Sequence, residues 1–268
     1  MLGLRTRYYR TIPITRPGYA YEDVELEEPK TALVVMHCWN IGCEDGPRID
    51  PNFWVGMGFP IVHREASRIM RKKIRPMMDA ARRTGVLVCH VESDVIRRNR
   101  AMVKPDDQPD SDPAEPRGWR EAIAWRSHGE RYATRSPLSR MDRAKIVAPM
   151  PGEPLVFETD ELDAELSKRG VQNLVYCGFA TDMCILRAPG GIEEMAPRDY
   201  HLYLVRDATV GVECPDTFQE RLATRWAIRY FETHFGDTIT TRDFISACRQ
   251  SEARIRQSIR TEARHPLP

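Results

Sequence analysis

A membrane-spanning helix needs about 20 consecutive apolar residues, and this sequence has no such run. Its N-terminus also lacks the apolar core of a secretory signal. Charge of one sign is not in excess. The formal net charge is +1, which removes any global electrostatic argument for a nucleic-acid or membrane partner. Seven cysteines are scattered without a compact spacing, so a disulfide framework is not expected and a reducing compartment, the cytoplasm, is. Cys-x-x-Cys and His-Glu-x-x-His spacings are missing as well. His37-Cys38, Cys43 and Cys89-His90 with Glu92 therefore read as strand-end groups satisfied by hydrogen bonds, with neither metal nor cofactor expected. Trp39, Phe53 and Trp54 are not interleaved with basic residues, so they are assigned to a pocket mouth or subunit contact and not to base stacking. No internal repeat is found.

The 268 residues, 41% hydrophobic and 29% charged, suffice for a single globular domain that hides roughly 70–75% of its unfolded surface. Ala32 to Met36 is a continuous apolar run suited to a central parallel strand. Ile61 to Arg83 carries helical periodicity through Ile69, Ile74, Met77, Met78 and Ala81. Further strands are expected at 86–91, 155–157, 174–177 and 201–205, with helices near 160–169, 183–196 and 216–234. This alternation predicts an α/β fold: a three-layer αβα sandwich around an open, mainly parallel, Rossmann-like sheet. Sites in such folds lie beyond the carboxyl ends of the strands. That rule brings His37, His90, Glu158 and Cys184 to one edge.

Three regions depart from the core expected at 31–248. Residues 1–30, with Pro13, Pro17 and Pro29, are expected to wrap the surface or a neighbouring subunit as an arm. The stretch of about 94–151 is long for a strand connection and reads as an insertion or lid, with a Pro- and Asp-rich middle from Lys104 to Pro116 and a helix from Trp119 to Tyr132. Residues 249–268 read as a basic C-terminal arm, a solvated helix or subunit contact.

The most informative segment runs from Leu174 to Leu186. It predicts a buried strand, a turn at Gly178 and a cysteine, Cys184, opening the next helix. Unpaired N–H groups at a helix start favour a thiolate and can hold the oxyanion that forms when it attacks a carbonyl. A buried structural cysteine is the plainer alternative. Ala188-Pro189-Gly190-Gly191 predicts that this helix breaks early, which limits the dipole's help.

Gly178-x-x-Thr181-x-x-Cys184 after an apolar strand resembles the nucleophile motif of the isochorismatase-like cysteine hydrolases, which include nicotinamidases and N-carbamoyl amidohydrolases. The resemblance extends through Thr31 to Val35 with Asn40, Pro151 to Val156, Leu162 to Leu174, Val205 to Ala208 and Thr240 to Asp243. It implies a homo-oligomeric hydrolase that cleaves an amide-type C–N bond of a small molecule through a Cys184 thioester. Asn40, Trp39, Ala180 and Thr181 fall at substrate-binding positions of this resemblance, and Asp207 at a structural one. The family's general base, an Asp, and its supporting Lys are both replaced. Alignment on Asn40 puts His37 where the Asp belongs, and Glu158 is nearest the Lys position. Thiol, imidazole and carboxylate together are the inventory of a rewired Cys184–His37–Glu158 triad, with Asp160 as a second candidate acid. A catalytically inactive module that binds a ligand or protein is the alternative from another class. Chemistry on vinyl ethers without a nucleophilic cysteine is a third.

Overall fold

The computed structural model describes residues 1–49, 58–101, 115–116, 118–129 and 137–264. Phe53, Trp54 and much of the expected 94–151 insertion lie outside the described residues. Strands β1 (Leu2–Arg10), β2 (Gly18–Leu26), β3 (Thr31–Met36), β4 (Leu87–Val91), β5 (Leu155–Val156), β6 (Asn173–Phe179), β7 (His201–Val210) and β8 (Gly236–Ile239) form one eight-stranded sheet in the order β2-β1-β8-β7-β6-β3-β4-β5. From β5 to β8 every pairing is parallel, and β1 and β2 join antiparallel beyond β8.

The residues of β3 show why it is central. All six are buried, because β4 and β6 flank the strand and helices cover both faces. Its side chains alternate between two cores. Leu33 and Val35 pack with α1 (Pro60–Ile69), α2 (Arg75–Arg82) and the start of α9 (Thr241–Arg264). Ala32, Val34 and Met36 pack with α5 (Thr159–Ser167), α6 (Cys184–Arg187), α7 (Ile192–Met195) and α8 (Leu222–His234). The result is the three-layer α/β arrangement that the strand–helix alternation implies. Among the described residues, α3 (Asp94–Ala101) and α4 (Trp119–His128) follow β4.

Local details differ from the sequence expectation for identifiable reasons. The expected helix at 61–83 is continuous from 60 to 82 but passes through a π-turn at Met70–Ile74, where the Arg75 N–H reaches Met70 O just before Pro76, which has no N–H to offer. The expected helix at 183–196 is cut into α6 and α7 by Ala188-Pro189-Gly190, with Ala188 extended at φ −76°, ψ 163°. Residues 1–30, expected as an arm, instead extend the sheet. Leu2, Leu4 and Thr6 alternate inward along β1 while β2 pairs with it over nine residues. The boundary expected at 249 falls inside α9, a single helix from 241 to 264.

Candidate active site

Beyond the carboxyl end of β3 the chain turns sharply. His37 takes φ +45°, a left-handed conformation open to histidine at modest cost, and its N–H donates to Val91 O at 2.9 Å. The ring is buried and stacks on Trp39, with centroids 5.5 Å apart. Burial, together with the positive charge of Arg143, lowers the imidazole pKa to about 3. His37 Nδ1 is buried without a hydrogen-bond partner.

Asn40 clamps the chain that follows the long connection. Its N–H donates to Asp142 O at 2.8 Å, its Oδ1 accepts from Asp142 N at 2.9 Å, and its Nδ2 donates to Asp45 O at 3.0 Å. Trp39 bridges Arg143 in an antiparallel pair, and Ala144 N donates to Cys38 O at 2.9 Å. This short two-stranded clasp delivers the Arg143 side chain under the sheet edge. Asn40 thus acts as a structural clamp, its amide already engaged by the protein.

Arg143 spends four of its five N–H donors on protein acceptors. Nε donates to Val147 O at 3.0 Å, Nη2 to His90 Nδ1 at 2.6 Å and to Val35 O at 3.5 Å, and Nη1 to Glu92 Oε1. Because His90 Nδ1 accepts, its proton sits on Nε2, which donates to Glu153 Oε2 at 2.9 Å. Glu153 closes the chain by accepting from Arg82 at 2.7 and 2.9 Å. Burial and Arg143 hold the His90 pKa at about 3, so this imidazole is neutral. The network therefore runs from a buried carboxylate outward through Arg143, His90 and Glu153 to Arg82. Both ring nitrogens of His90 and one oxygen of Glu92, Oε1, are thereby engaged by Glu153 and Arg143.

Glu92 is the buried end of that chain. Its Oε2 has no hydrogen-bond partner. Burial pushes its pKa up against the opposing pull of Arg143. The indole N–H of Trp39 faces the carboxylate and favours its charge, although Trp39 Nε1 makes no hydrogen bond of good geometry.

On β6, Gly178 passes so close to β3 that a Cβ there would sit 1.9 Å from Met36 O. With φ +117°, the position admits glycine and little else. Past this close approach, Cys184 opens α6 and is half-buried. Burial pushes its thiol up to about 11. The Ala180 N–H facing the sulfur pulls the other way, and the charges of Asp182 and Glu92 push it further up. Among the described residues, no backbone carbonyl accepts from the N–H of Ala180 or of Cys184. The Ala180 N–H thus faces the sulfur and the Cys184 N–H opens the helix, and N–H groups of this kind are the donors that an acyl-transfer oxyanion requires.

The Cys184–His37–Glu158 set is not drawn together by hydrogen bonds. Glu158 caps the start of α5 at the surface, where its side chain is 50% exposed and pairs with Arg97 at 2.9 Å. Asp160, the second candidate acid, pairs with Arg198 at 2.6 Å. The shortened connection after β5 turns both carboxylates outward into α5 and away from the β3 end. Thr181 is also internal: its hydroxyl bonds to Thr209 Oγ1 at 2.7 Å within the core. Of the positions singled out by resemblance, Trp39 stacks on His37 and Ala180 turns its N–H to the Cys184 sulfur. Asp207 has a structural role, accepting from Lys73 at 2.9 Å and from Thr241 N at 2.8 Å. Arg143 escaped sequence reasoning altogether. Glu92 was visible there only as a metal candidate, its one signal being a carboxylate immediately after an apolar strand.

A model of the isochorismatase domain matches residues 32–243. Two proteins named ureidoacrylate amidohydrolase RutB are similar over nearly their whole length. The one from Agrobacterium fabrum is 26% identical over 242 residues, covering 86% of this chain and 95% of the relative. The one from Rhizobium rhizogenes is 25% identical over 261 residues, covering 93% and 95%. Among solved structures, a cysteine hydrolase from Pseudomonas syringae pv. phaseolicola shares the fold at a TM-score of 0.55 and 17% identity, over 84% of this chain and 95% of that one.

Proposed function

The chain belongs to the isochorismatase family, and from that premise we propose that it hydrolyses an amide-type C–N bond of a small molecule through a thioester on Cys184. The observation that carries this reading is a pair of N–H groups, Ala180 and Cys184, with no backbone carbonyl acceptor among the described residues, the first facing the Cys184 sulfur and the second opening its helix at the sheet's carboxyl edge. Sulfur attack on the carbonyl carbon forms a tetrahedral oxyanion that these donors stabilise, collapse expels the amine, and water releases the acid. The names of the relatives make a ureido compound, ureidoacrylate, the first substrate to try. The reading also carries a homo-oligomer working in the cytoplasm, with β1–β2 and the end of α9 as surfaces available for assembly.

A thiol held near pKa 11 is not a standing thiolate. His37, held near 3, is a poor acceptor for its proton. We therefore leave the His37–Glu158 pairing out of the mechanism and place His37 as a wall beside Trp39. The test is Cys184→Ala. With ureidoacrylate and a panel of primary amides, the wild type is expected to release amine or ammonia, and mass spectrometry of quenched reactions is expected to find an acyl adduct on the peptide bearing Cys184. Turnover by Cys184→Ala equal to that of the wild type refutes the thioester. Ligand binding without turnover by the wild type points to the inactive binding module, which the high thiol pKa favours.

A further inference from the structure

We propose that Glu92 takes the thiol proton of Cys184 and that Arg143 is the residue that positions it; this rests on the thioester reading above. The geometry begins with a paradox. Glu92 is buried at the end of β4, yet only Oε1 is hydrogen-bonded, by Arg143, while Oε2 is buried without a hydrogen bond, the Trp39 indole N–H facing the carboxylate out of bonding geometry. Native interiors rarely leave such an oxygen orphaned, and those that do so have a reason in strain, chemistry or an absent ligand. A thiol in need of a base supplies one.

The charged and titratable groups that bear on the site come from several elements, among them Arg100 on α3, whose charge favours the Glu92 carboxylate, and the buried Cys38 after β3. The loop after β6 contributes Asp182, whose Oδ1 already accepts from Val212 N at 2.8 Å. The segment before β5 contributes Arg143, four of whose donors are spent on Val147, Val35, His90 and Glu92. The turn after β3 contributes His37, and the end of β4 contributes Glu92. Proton transfer from a thiol that burial pushes up to an imidazole that burial and Arg143 push down is strongly uphill. Burial moves Glu92 in the opposite sense, raising its proton affinity towards that of the thiol, as a general base requires. The fixed guanidinium opposes that rise, favouring the charged carboxylate, and engages Oε1 so that Oε2 carries no hydrogen bond. Arg143 touches neither sulfur nor substrate in this scheme.

The steps balance. Glu92 Oε2 accepts the S–H proton as sulfur bonds to the carbonyl carbon. The protonated Glu92 then gives that proton to the leaving nitrogen as the C–N bond breaks. Water attacks the thioester, its proton passes to Glu92, the C–S bond breaks, and the proton returns to sulfur. The net change is amide plus water to acid plus amine.

The test uses the full-length protein with two probes, p-nitrophenyl acetate to acylate Cys184 and iodoacetamide to alkylate it. Glu92→Gln is expected to lower the acylation rate at pH 7 by about 100-fold or more, and Glu92→Asp to recover part of it. Alkylation by iodoacetamide is expected to hold its onset or shift to lower pH, because a buried negative charge that opposes the thiolate has gone. A residue that merely supports the fold would slow both reactions together. His37→Gln is expected to lose less than Glu92→Gln and to keep the acid limb of the acylation profile. The double variant Glu92→Gln/Arg143→Met leaves no lone buried charge; folded by circular dichroism, it is expected to acylate as slowly as Glu92→Gln. Wild-type acylation rates in either Glu92→Gln variant, or loss of the acid limb in His37→Gln, overturn the assignment. A Cys184→Ala protein that is acylated at the wild-type rate refutes the thioester reading instead, so the two failures are distinct.

Discussion

Removing the cation from the buried pair is the sharpest probe of how this site is built. In Arg143→Met the apolar stem is retained and the guanidinium lost. Arg143 and Glu92 side chains are 2% and 0% exposed, so the surviving carboxylate cannot relax into water. Breaking one partner of such a pair costs about 3–5 kcal/mol, whereas replacing both by apolar residues is often neutral or stabilising. Three other acceptors, Val147 O, Val35 O and His90 Nδ1, lose their donor in the same step, which puts this site at the upper end of that range. The cost also has a sign in pH. In the variant, the folded-state pKa of Glu92 lies above its unfolded value of about 4.3, because burial raises it and the opposing cation is gone. A raised group contributes fully below the unfolded pKa and loses that contribution as pH rises through the folded pKa. The deficit relative to the wild type is therefore smallest near pH 5 and grows towards pH 8. Urea denaturation followed by tryptophan fluorescence at several pH values measures it, with Arg143→Met/Glu92→Leu closing the cycle. The double variant is expected to regain most of the loss. A single variant within about 1 kcal/mol of the wild type at pH 8, or a double variant no better than the single, would falsify the picture of a tightly buried pair.

Acid should destabilise the wild type early. Burial holds His37 and His90 near 3 and His63 near 4, all below the unfolded value of about 6.5. Their contribution is complete above that value and is lost as pH falls through 6.5 towards 3–4. Urea midpoints that are level from pH 7 to pH 5 would contradict this. Glu153 extends the trend: although burial pushes it up, Arg82, Met150 N–H and His90 bring it down to about 2. Asn40→Ala removes two side-chain hydrogen bonds from the clasp that delivers Arg143. It should cost about 1–3 kcal/mol and lower turnover as well as stability; unaltered kinetics would show that Arg143 reaches Glu92 without the clasp.

Some of this was open to inspection in the linear chain. A strand buried on both faces must be apolar at every position, so the strands at β3, β4 and β6 declare themselves as unbroken runs. Gly178 and Cys184 follow β6 at a spacing that marks a turn and a helix start. The break at Ala188-Pro189-Gly190 is equally local, since proline and glycine act on their own turn. At the sheet edge the signal was weaker. Leu2, Leu4 and Thr6 alternate as a half-buried strand should, but nearby prolines and exposed charges favour an arm until β8 is there to pair with.

The chemistry around the thiol was decided elsewhere. Glu92 and Arg143 are 51 residues apart, and no periodicity links them; they meet because Asn40 fastens 142 to the end of β3 while β4 runs parallel beside it. The same folding turned Glu158 and Asp160 out to surface arginines and buried His37 beside a cation that suppresses its basicity. Residue type alone determined which side chains were capable of acid–base work at this sheet edge. Their burial and charged neighbours set which could hold or accept a proton, and those are properties of the assembled interior.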